Sequence, residues 1–418
     1  GIVYDVLRRW LEWSGLHVTH VRNVTDIDDK ILTKSADAGR PWWAHAALNE
    51  RLFSDAYAAL GCLPPTIEPR ATGHIPQIVE LIDELVRKDA AYPADGDVYF
   101  DVRHQADYGF LSGQKIDELS QGESDGRRKR DPADFTLWKA AKPGEPYWNS
   151  PWGPGRPGWH IECSAMARTY LGDTFDIHGG GLDLVFPHHE NEAAQSHGAG
   201  LDFARYWMHS FWVTQAGEKM SKSLGNTMTV EAITELVRAI ELRYYLLSVH
   251  YRSVIEYSAE ALQDAAKALR RIESLLQRVT DRYGEVPLED ELPVDFVTAM
   301  DDDLAVPRAI AVIHDHVRAG NTALDDGTQE AAVAIAGTIR SMLAVLGLDP
   351  YDSVWQGAAS ARTDEVLAAV VEQLLEERRE ARAAKDFGRS DAIRDRLAAA
   401  GILVEDGAST STWTIGRS

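Results

Sequence analysis

The apolar residues of the first 240 positions change repeatedly between helical and strand spacing. A run of apolar residues at every third or fourth position predicts a helix, and strict alternation or a short continuous run predicts a strand. The predicted helices lie at the start of the chain (Val3, Val6, Leu7, Trp10 and Leu11), at 31–60 and at 75–86, and the predicted strands at 16–24, 97–102 and 206–213, the last of them buried. Residues 138–157 are rich in Trp, Pro and Gly and predict irregular structure.

The pattern becomes almost purely helical after about residue 240. One apolar stripe runs through Leu262, Ala266, Leu269, Ile272, Leu276 and Val279, and further helices are predicted at 296–320, 330–348, 366–375 and 390–400. Proline-containing breaks are expected at 284–293 and 350–361, and a short polar, β-like tail ends at Trp413. This half has no cluster of ligand-type side chains in its sequence, so we expect a binding or scaffolding region.

Composition narrows the class of protein. The chain has 418 residues, of which 44% are hydrophobic and 26% charged, which is typical of globular domains, and its length allows two to four of them. Two cysteines argue against a disulfide framework and favour a reducing cytoplasm. The net charge of −22 means that any nucleic acid must bind on local basic patches.

Residues 158–192 concentrate metal-ligand side chains in the stretch GWHIECSAMARTYLGDTFDIHGGGLDLVFPHHENE. His188 and Glu192 are four residues apart and therefore share one face of a helix. Together with Cys163 they are acceptable Zn²⁺ ligands, and three protein ligands with one open position are typical of a working zinc site. A lone cysteine can equally be a small buried hydrophobe, and the spacing matches no short zinc-finger pattern, so the residues alone leave both readings open.

A second candidate site lies at 218–226, whose sequence is EKMSKSLGN. Lys219 and Lys222 are surrounded by small hydroxyl and glycine residues, which favour a loop. Lysine in such a loop can act as a point charge against polyphosphate. A solvated surface turn is the alternative interpretation.

Together, WHIECSAMA, FDIHGGG, FPHHENE and EKMSKSLGN resemble the class I aminoacyl-tRNA synthetases and, among them, the bacterial cysteinyl-tRNA synthetases. The resemblance covers essentially the whole chain. It implies an α/β fold with a Rossmann-like parallel-sheet catalytic domain at 1–240, which carries an insertion at about 65–145. It further implies an all-α stem and bundle at 241–350 and a small anticodon-binding domain at 351–418. The implied reaction is ATP-dependent activation of cysteine, followed by transfer to tRNA(Cys).

The resemblance also implies roles for individual residues. Lys219 and Lys222 would be catalytic, with Lys222 in direct contact with ATP. The positions that match the cysteine-binding residues of the family are Thr25, Trp159 and His178. One Zn²⁺ would be held by Cys163, His188 and Glu192, whereas Cys62 is expected to be structural.

Residues 376–396 are predicted to contact the anticodon. They contain seven basic and six acidic residues in a chain whose net charge is −22, a balance that ion pairs on a helix surface also explain. On the family interpretation Arg382, Phe387 and Asp391 contact anticodon bases, because Arg and Asp can bind base edges and an aromatic ring can stack. Phe387 stands where related sequences often carry tryptophan, so an indole N–H contact would be lost while stacking is kept.

Three interpretations of the activity remain open at this point. The family has an upstream segment with a cysteine and a His-Ile-Gly-His motif, and the chain, which starts at Gly1, contains no such segment. It is therefore expected to be an N-terminally incomplete form, and its activity without that segment is left open. The alternatives to a cysteine–tRNA ligase are the ligase that joins cysteine to an amino sugar in mycothiol synthesis and a non-catalytic zinc- and RNA-binding fragment. The expected partners are tRNA(Cys), L-cysteine and ATP with Mg²⁺, without a membrane, and a monomer is the default.

Overall fold

The computed structural model describes residues 1–121, 128–215, 218–219, 229–406 and 411–415. The chain forms two compact units, Gly1–Asp349 and Pro350–Ser418. No helix within the described ranges is both long enough and apolar enough to cross a membrane.

The first 240 residues contain seven helices within the described ranges. They are α1 (Ile2–Trp13), α2 (Asp29–Asp37), α3 (Trp42–Ala59), α4 (Ile75–Arg87), α5 (Trp159–Leu171), α6 (Glu190–Gly198) and α7 (Val230–Thr234). The helices predicted at the start of the chain and at 75–86 are confirmed as α1 and α4. The single helix predicted at 31–60 is divided into two helices, α2 and α3. Gly39 takes a positive φ of 61°, which ends the first helix, and Pro41 is the N-cap residue of the second.

Three small sheets accompany these helices. The strands are β1 (Ala91–Ala94), β2 (Asp97–Phe100), β3 (Phe135–Ala140), β4 (Gly155–Pro157), β5 (Phe175–Gly181), β6 (Ala204–Ser210), β7 (Val213–Gln215), β8 (Glu218–Lys219) and β9 (Ile255–Glu256). Strands β1 to β4 form an antiparallel sheet in sequence order, and β5 pairs in parallel with β6. In the third sheet β7 lies between β8 and β9 and pairs in parallel with β9.

Three predictions about strands and irregular segments in the first 240 residues are wrong. Residues 16–24 form no regular strand, because only isolated parallel bridges join Val21 to Ile67 and Val24 to Arg70. Strand β6 is mostly not buried: Tyr206 is 69% exposed, and Met208 is its one buried residue. Residues 138–157 are not wholly irregular, because Trp138 belongs to β3 and β4 ends the stretch; the pairing of these strands buries Trp138 completely.

The second half of the first unit is helical, as predicted. Its helices are α8 (Ala239–Leu247), α9 (Ala259–Tyr283), α10 (Val294–Asp301), α11 (Val306–Asp325) and α12 (Gln329–Val345). The predicted break at 284–293 is confirmed, whereas the helix predicted at 296–320 is divided between α10 and α11. Asp303 and Leu304 take positive φ values of 54° and 51° at that point, which a continuous α-helix excludes.

A buried arginine joins the helical half to the start of the chain. Arg243 lies on α8 and is fully buried, with its Nη2 2.5 Å from Oδ2 of Asp5 on α1. It also donates to the carbonyl oxygens of Leu60 (3.0 Å) and Leu346 (2.9 Å). Cys62 lies beside this contact, with Sγ 3.7 Å from Arg243 Nη1, which agrees with a structural role for that thiol.

The N-cap of α9 gives a stability prediction. The Ser258 hydroxyl accepts a hydrogen bond from the Ala261 N–H at 3.1 Å, so Ser258→Ala should lower the free energy of unfolding by about 1 kcal/mol. Ser274 lies exposed in the middle of the same helix, and there the same change should raise stability by a few tenths of a kcal/mol, because alanine has the higher helix propensity. Urea unfolding of both variants tests this, and equal effects would contradict the capping role.

The second unit begins with the long helix α13 (Ser353–Ala383), followed by α14 (Phe387–Ala399) and an antiparallel hairpin of β10 (Ile402–Asp406) and β11 (Ser411–Ile415). The predicted break at 350–361 is therefore too long. Asp352 caps α13 by accepting a hydrogen bond from the Val354 N–H at 3.1 Å, so the helix starts only three residues after Pro350.

Candidate metal and substrate site

Helix α5 supplies Cys163 and starts at a tight approach to the antiparallel sheet. A Cβ on Gly158, its N-cap residue, would lie 2.0 Å from the carbonyl oxygen of Thr136, so only glycine fits there. All residues from His160 to Ala167 are buried, because α5 packs between the α4 core and a smaller cluster formed by Ile27, Ala71 and Met166. The thiol of Cys163 is thereby fixed in the interior.

The β5–β6 pair and helix α6 supply the remaining side chains. His178 lies on β5 and its register partner on β6 is Trp207. The chain then passes through a π-helical turn, Val185–His189, into α6, where almost every residue is buried. His188 at the end of the turn and Glu192 in the first turn of α6 point to the same place.

Cys163, His188 and Glu192 meet with their ligand atoms all within 4.8 Å of one another, and all three side chains are buried. The closest contact joins His188 Nε2 to Glu192 Oε1 at 3.0 Å. Burial by itself would raise the pKa of Glu192, but His178 and His188 outweigh it and hold that pKa well below its usual value. The buried carboxylate is therefore charged and attracts cations.

The sequence interpretation missed part of this cluster. Glu192 also belongs to a second group of ligand-type side chains, with His178 and His189, and His178 Nε2 is 3.3 Å from Glu192 Oε2. His189 Nδ1 lies 2.8 Å from His209 Nε2 of β6, and His160 Nδ1 lies 3.0 Å from His188 Nδ1. Burial lowers the pKa of His189 to about 3, so its imidazole is neutral at pH 7 and keeps a lone pair that can accept a hydrogen bond or bind a metal.

The donor set fits a zinc ion. Cys, His and Glu are accepted Zn²⁺ ligands, and Glu192 Oε2 makes no hydrogen bond to any described residue. Burial, followed by the charges of Glu192 and Glu162, raises the pKa of Cys163 well above its usual value, so without a cation the thiol stays protonated. A bound cation would reverse this, because metal binding releases the thiol proton. Cys62 belongs to neither group of ligand-type side chains.

A cavity of about 730 Å³ lies next to this cluster and is lined by two of the predicted cysteine-binding residues, Thr25 and Trp159. The Trp159 ring contacts the His188 ring, with 4.3 Å between ring centroids and 33° between their planes, so Trp159 connects the cavity to the candidate metal ligands. His178, the third predicted cysteine-binding residue, is not in the cavity lining and lies against Glu192.

Charged residues on one wall of this cavity neutralise one another. Asp29 accepts hydrogen bonds from Lys139, at 2.7 Å, and from the buried Arg156. Burial alone would raise the pKa of Asp29, but the two cations lower it. Asp28, another lining residue, caps α2 by accepting a hydrogen bond from the Ile31 N–H at 2.5 Å.

The remaining predicted residues lie outside this cluster. Lys219 ends β8, where its backbone pairs with Thr214 of β7, and Lys222 lies outside the described residues. In the second unit Arg382, Phe387 and Asp391 are all exposed, Phe387 to 64%, around the turn between α13 and α14. Asp391 forms a loose ion pair with Arg394 at 3.6 Å.

Comparison with known proteins decides the family. A family model described as tRNA synthetases class I (C) catalytic domain matches residues 1–267. A cysteine–tRNA ligase from Streptomyces avermitilis is 56% identical to the chain over 420 aligned positions, which cover all of this chain and 90% of the relative. The chain belongs to the cysteine–tRNA ligase family of class I aminoacyl-tRNA synthetases. The chain also matches two other cysteine–tRNA ligases over its whole length. One is from Streptomyces griseus, with 54% identity and 90% of the relative covered, and the other from Streptomyces coelicolor, with 55% identity and 68% of the relative covered.

Two further family models match the second half of the chain. The DALR domain matches residues 295–348, and the cysteinyl-tRNA ligase anticodon binding domain matches residues 364–413. Among solved structures, a methionyl-tRNA synthetase of Mycobacterium tuberculosis with bound methionyl-adenylate gives a TM-score of 0.58 at 18% identity, over 82% of this chain and 85% of that chain. A putative arginyl-tRNA synthetase from Campylobacter jejuni gives 0.53 at 13% identity, over 83% and 88%. These likenesses confirm the class I fold.

Proposed function

We propose that the protein ligates cysteine to tRNA(Cys) in two steps, with cysteinyl-adenylate as the intermediate. The observation that carries this proposal is the match along the whole chain to cysteine–tRNA ligases, with a catalytic domain and an anticodon-binding domain in the expected order. In the first step the cysteine carboxylate attacks the α-phosphorus of ATP and pyrophosphate leaves. In the second step a hydroxyl of the tRNA 3′ end attacks the acyl carbon and AMP leaves.

The cavity lined by Thr25 and Trp159 is the proposed place of cysteine. The Thr25 hydroxyl can donate to the carboxylate or accept from the ammonium group, and the Trp159 ring supplies an apolar wall beside His188. Lys139 and Arg156 are already paired with Asp29, so they shape the wall without leaving a free cation beside the ammonium group. Holding the carboxylate in position lowers the entropic cost of attack, which is the main contribution available where no covalent enzyme intermediate is needed.

Cys163, His188 and Glu192 are the residues that we propose hold one zinc ion. His178 Nε2 lies 3.3 Å from Glu192 Oε2 and would orient that carboxylate rather than bind the amino acid. When bound, zinc would favour the thiolate form of a cysteine side chain over a serine hydroxyl, which loses its proton far less readily. The protein's own contribution is a dry and preformed set of ligands.

Lys219 and Lys222 are the proposed cations for the polyphosphate of ATP, which enters with Mg²⁺. Developing negative charge on the leaving pyrophosphate is stabilised by positioned cations. The β7–β8 pairing holds the backbone of Lys219 at the end of a strand, three residues before Lys222.

The amino-sugar ligase of mycothiol synthesis is disfavoured. That reaction shares the activation of cysteine but needs no anticodon-binding domain, and residues 364–413 match such a domain. A non-catalytic role is disfavoured for two reasons. The catalytic family model matches residues 1–267, and a relative of which the chain covers 90% is named a ligase. Both cysteines are free thiols, which supports the proposed cytoplasmic setting.

Two assays on the full-length protein test the proposed function. Cysteine-dependent exchange of pyrophosphate into ATP measures the first step, and formation of cysteinyl-tRNA measures the second. We expect both, with the second restricted to tRNA(Cys). Exchange without charging of any tRNA, together with transfer of cysteine to an amino sugar, would favour the mycothiol enzyme instead.

Phe387 gives a prediction for the anticodon region. Its ring is exposed at the first position of α14, where it packs little and is available to stack on a base. Phe387→Ala should raise the KM for tRNA(Cys) on the order of 10-fold, because stacking of one base on an aromatic ring contributes about 1–3 kcal/mol. Phe387→Trp should keep parental charging, and pyrophosphate exchange should be unchanged in both. Equal KM values for the alanine and tryptophan variants would contradict the stacking role.

A further inference from the structure

A groove between α9 and α11 is lined mostly by basic side chains and is not used by the proposed active site. It encloses about 930 Å³. Five of its lining residues are basic and one is acidic: Lys267, Arg270, Arg271, Arg278, Arg318 and Asp315. We refer to it as the basic groove. In a chain whose net charge is −22, such a local excess of cations is unusual and needs an explanation.

Two arginines in the basic groove have no carboxylate partner among the described residues. Lys267 pairs with Asp264, Arg270 with Glu241 and Arg318 with Asp315. Arg271 makes no such pair. Arg278 only donates to Asn321 Oδ1 and, at 3.2 Å, to the carbonyl oxygen of Ser274. Both guanidinium groups are exposed and keep donors for a ligand.

The cations occupy one continuous face of α9. Lys267, Arg271, Ser274 and Arg278 follow one another at intervals of three or four residues, while the opposite face packs into the core. Like charges at this spacing repel each other, so the stripe contributes nothing to the stability of the helix. A bound polyanion would offset that repulsion.

His314 adds an uncharged polar group to the lining of the basic groove. Its Nε2 lies 2.9 Å from the hydroxyl of Tyr244 at the inner side of the basic groove. Burial, and then the charges of Arg318 and Arg271, lower the pKa of His314, so the imidazole is neutral at pH 7. The groove therefore offers fixed cations and a neutral polar wall.

We propose that the basic groove binds the phosphodiester backbone of the tRNA substrate, away from the anticodon and from the acceptor end. This proposal rests on the proposed function, which supplies the polyanion. No Phe, Tyr or Trp side chain lines the groove, and its one aromatic ring, the imidazole of His314, is held by Tyr244, so base stacking is not its main feature. The contacts are therefore expected to be with phosphates, independent of sequence and sensitive to salt.

The test replaces the two unpaired arginines in the full-length protein. Arg271→Gln/Arg278→Gln should raise the KM for tRNA(Cys) on the order of 10-fold and leave kcat within about twofold of the parent. The slope of log KM against log salt concentration should become shallower by about 2, one for each lost phosphate contact. Arg271→Glu/Arg278→Glu should raise KM further. Cysteine-dependent pyrophosphate exchange, which needs no tRNA, should be unchanged and also shows that the variants are folded.

The matched control removes two exposed arginines of the same unit that lie outside the basic groove, Arg87→Gln/Arg308→Gln. It should keep the parental KM and salt slope. A groove variant that behaves like this control, in a parent that charges tRNA(Cys), overturns the proposed groove and leaves the ligase function standing. A parent that neither activates cysteine nor charges tRNA overturns the ligase function itself.

Discussion

His188→Ala and Cys163→Ser are expected to lose most of the bound zinc and, with it, most of the preference for cysteine over serine. Each change removes one of three buried ligand-type side chains whose ligand atoms lie within 4.8 Å of one another. Cysteine activation should fall on the order of 10³-fold, or about 4 kcal/mol, since the charge interaction of a bound metal is worth several kcal/mol. The remaining preference for cysteine should be roughly 10²-fold or less, which is what a pocket achieves when it distinguishes near-isosteres by shape alone.

Metal content by mass spectrometry and exchange rates with cysteine and serine, measured on the full-length protein, check this prediction. His197→Ala is the matched control, because His197 lies on α6 with Glu192 but is partly exposed and contacts Asp107 at 3.5 Å instead of the cluster. It should keep zinc and selectivity. The zinc assignment is wrong if His188→Ala retains stoichiometric metal, or loses the metal and still prefers cysteine as strongly as the parent.

Lys222→Ala is expected to slow adenylate formation on the order of 10²-fold while leaving the fold intact. Ser221 and Ser223 flank it directly in the sequence and Gly225 follows, so its side chain is expected to contribute charge and little packing. The loss of one cation that stabilises developing charge corresponds to about 3 kcal/mol. Pyrophosphate exchange measures the step, and thermal unfolding should show the parental midpoint.

Lys115→Ala serves as the control for this change, because Lys115 is an exposed lysine of the same unit with only a 3.7 Å surface ion pair to Glu118. It should exchange pyrophosphate at the parental rate. Lys219→Ala should be slower than the parent but faster than Lys222→Ala. If Lys222→Ala stays within about twofold of the parent, Lys222 does not contact the polyphosphate.

Local spacing was sufficient to predict the elements that bury a continuous apolar face. Helices α1 and α4 lie where the apolar residues recur every three or four positions. Strand pairing was predicted less well. Residues 16–24 have the right apolar pattern, but a strand needs a partner along its length, and this segment finds only two isolated bridges.

In the candidate site, too, local spacing predicted some features and not others. The i, i+4 spacing of His188 and Glu192 follows from the helix alone, and the motifs together indicated the family, which the comparisons confirmed. The partners of these two residues do not follow from spacing. His209 reaches His189 only because β6 pairs with β5, and Cys163 faces Glu192 only because α5 packs against α6.

The sequence by itself indicated the family, the change to almost purely helical structure after about residue 240 and three side chains that a metal could bind. Tertiary structure decided which histidines surround Glu192, and it placed Arg271 and Arg278 of α9 in one groove with Arg318 of α11. The reason is physical: the spacing of residues along one helix or strand fixes what shares a face. Contacts between distant segments depend instead on which faces pack together, and several packings bury the same apolar residues equally well.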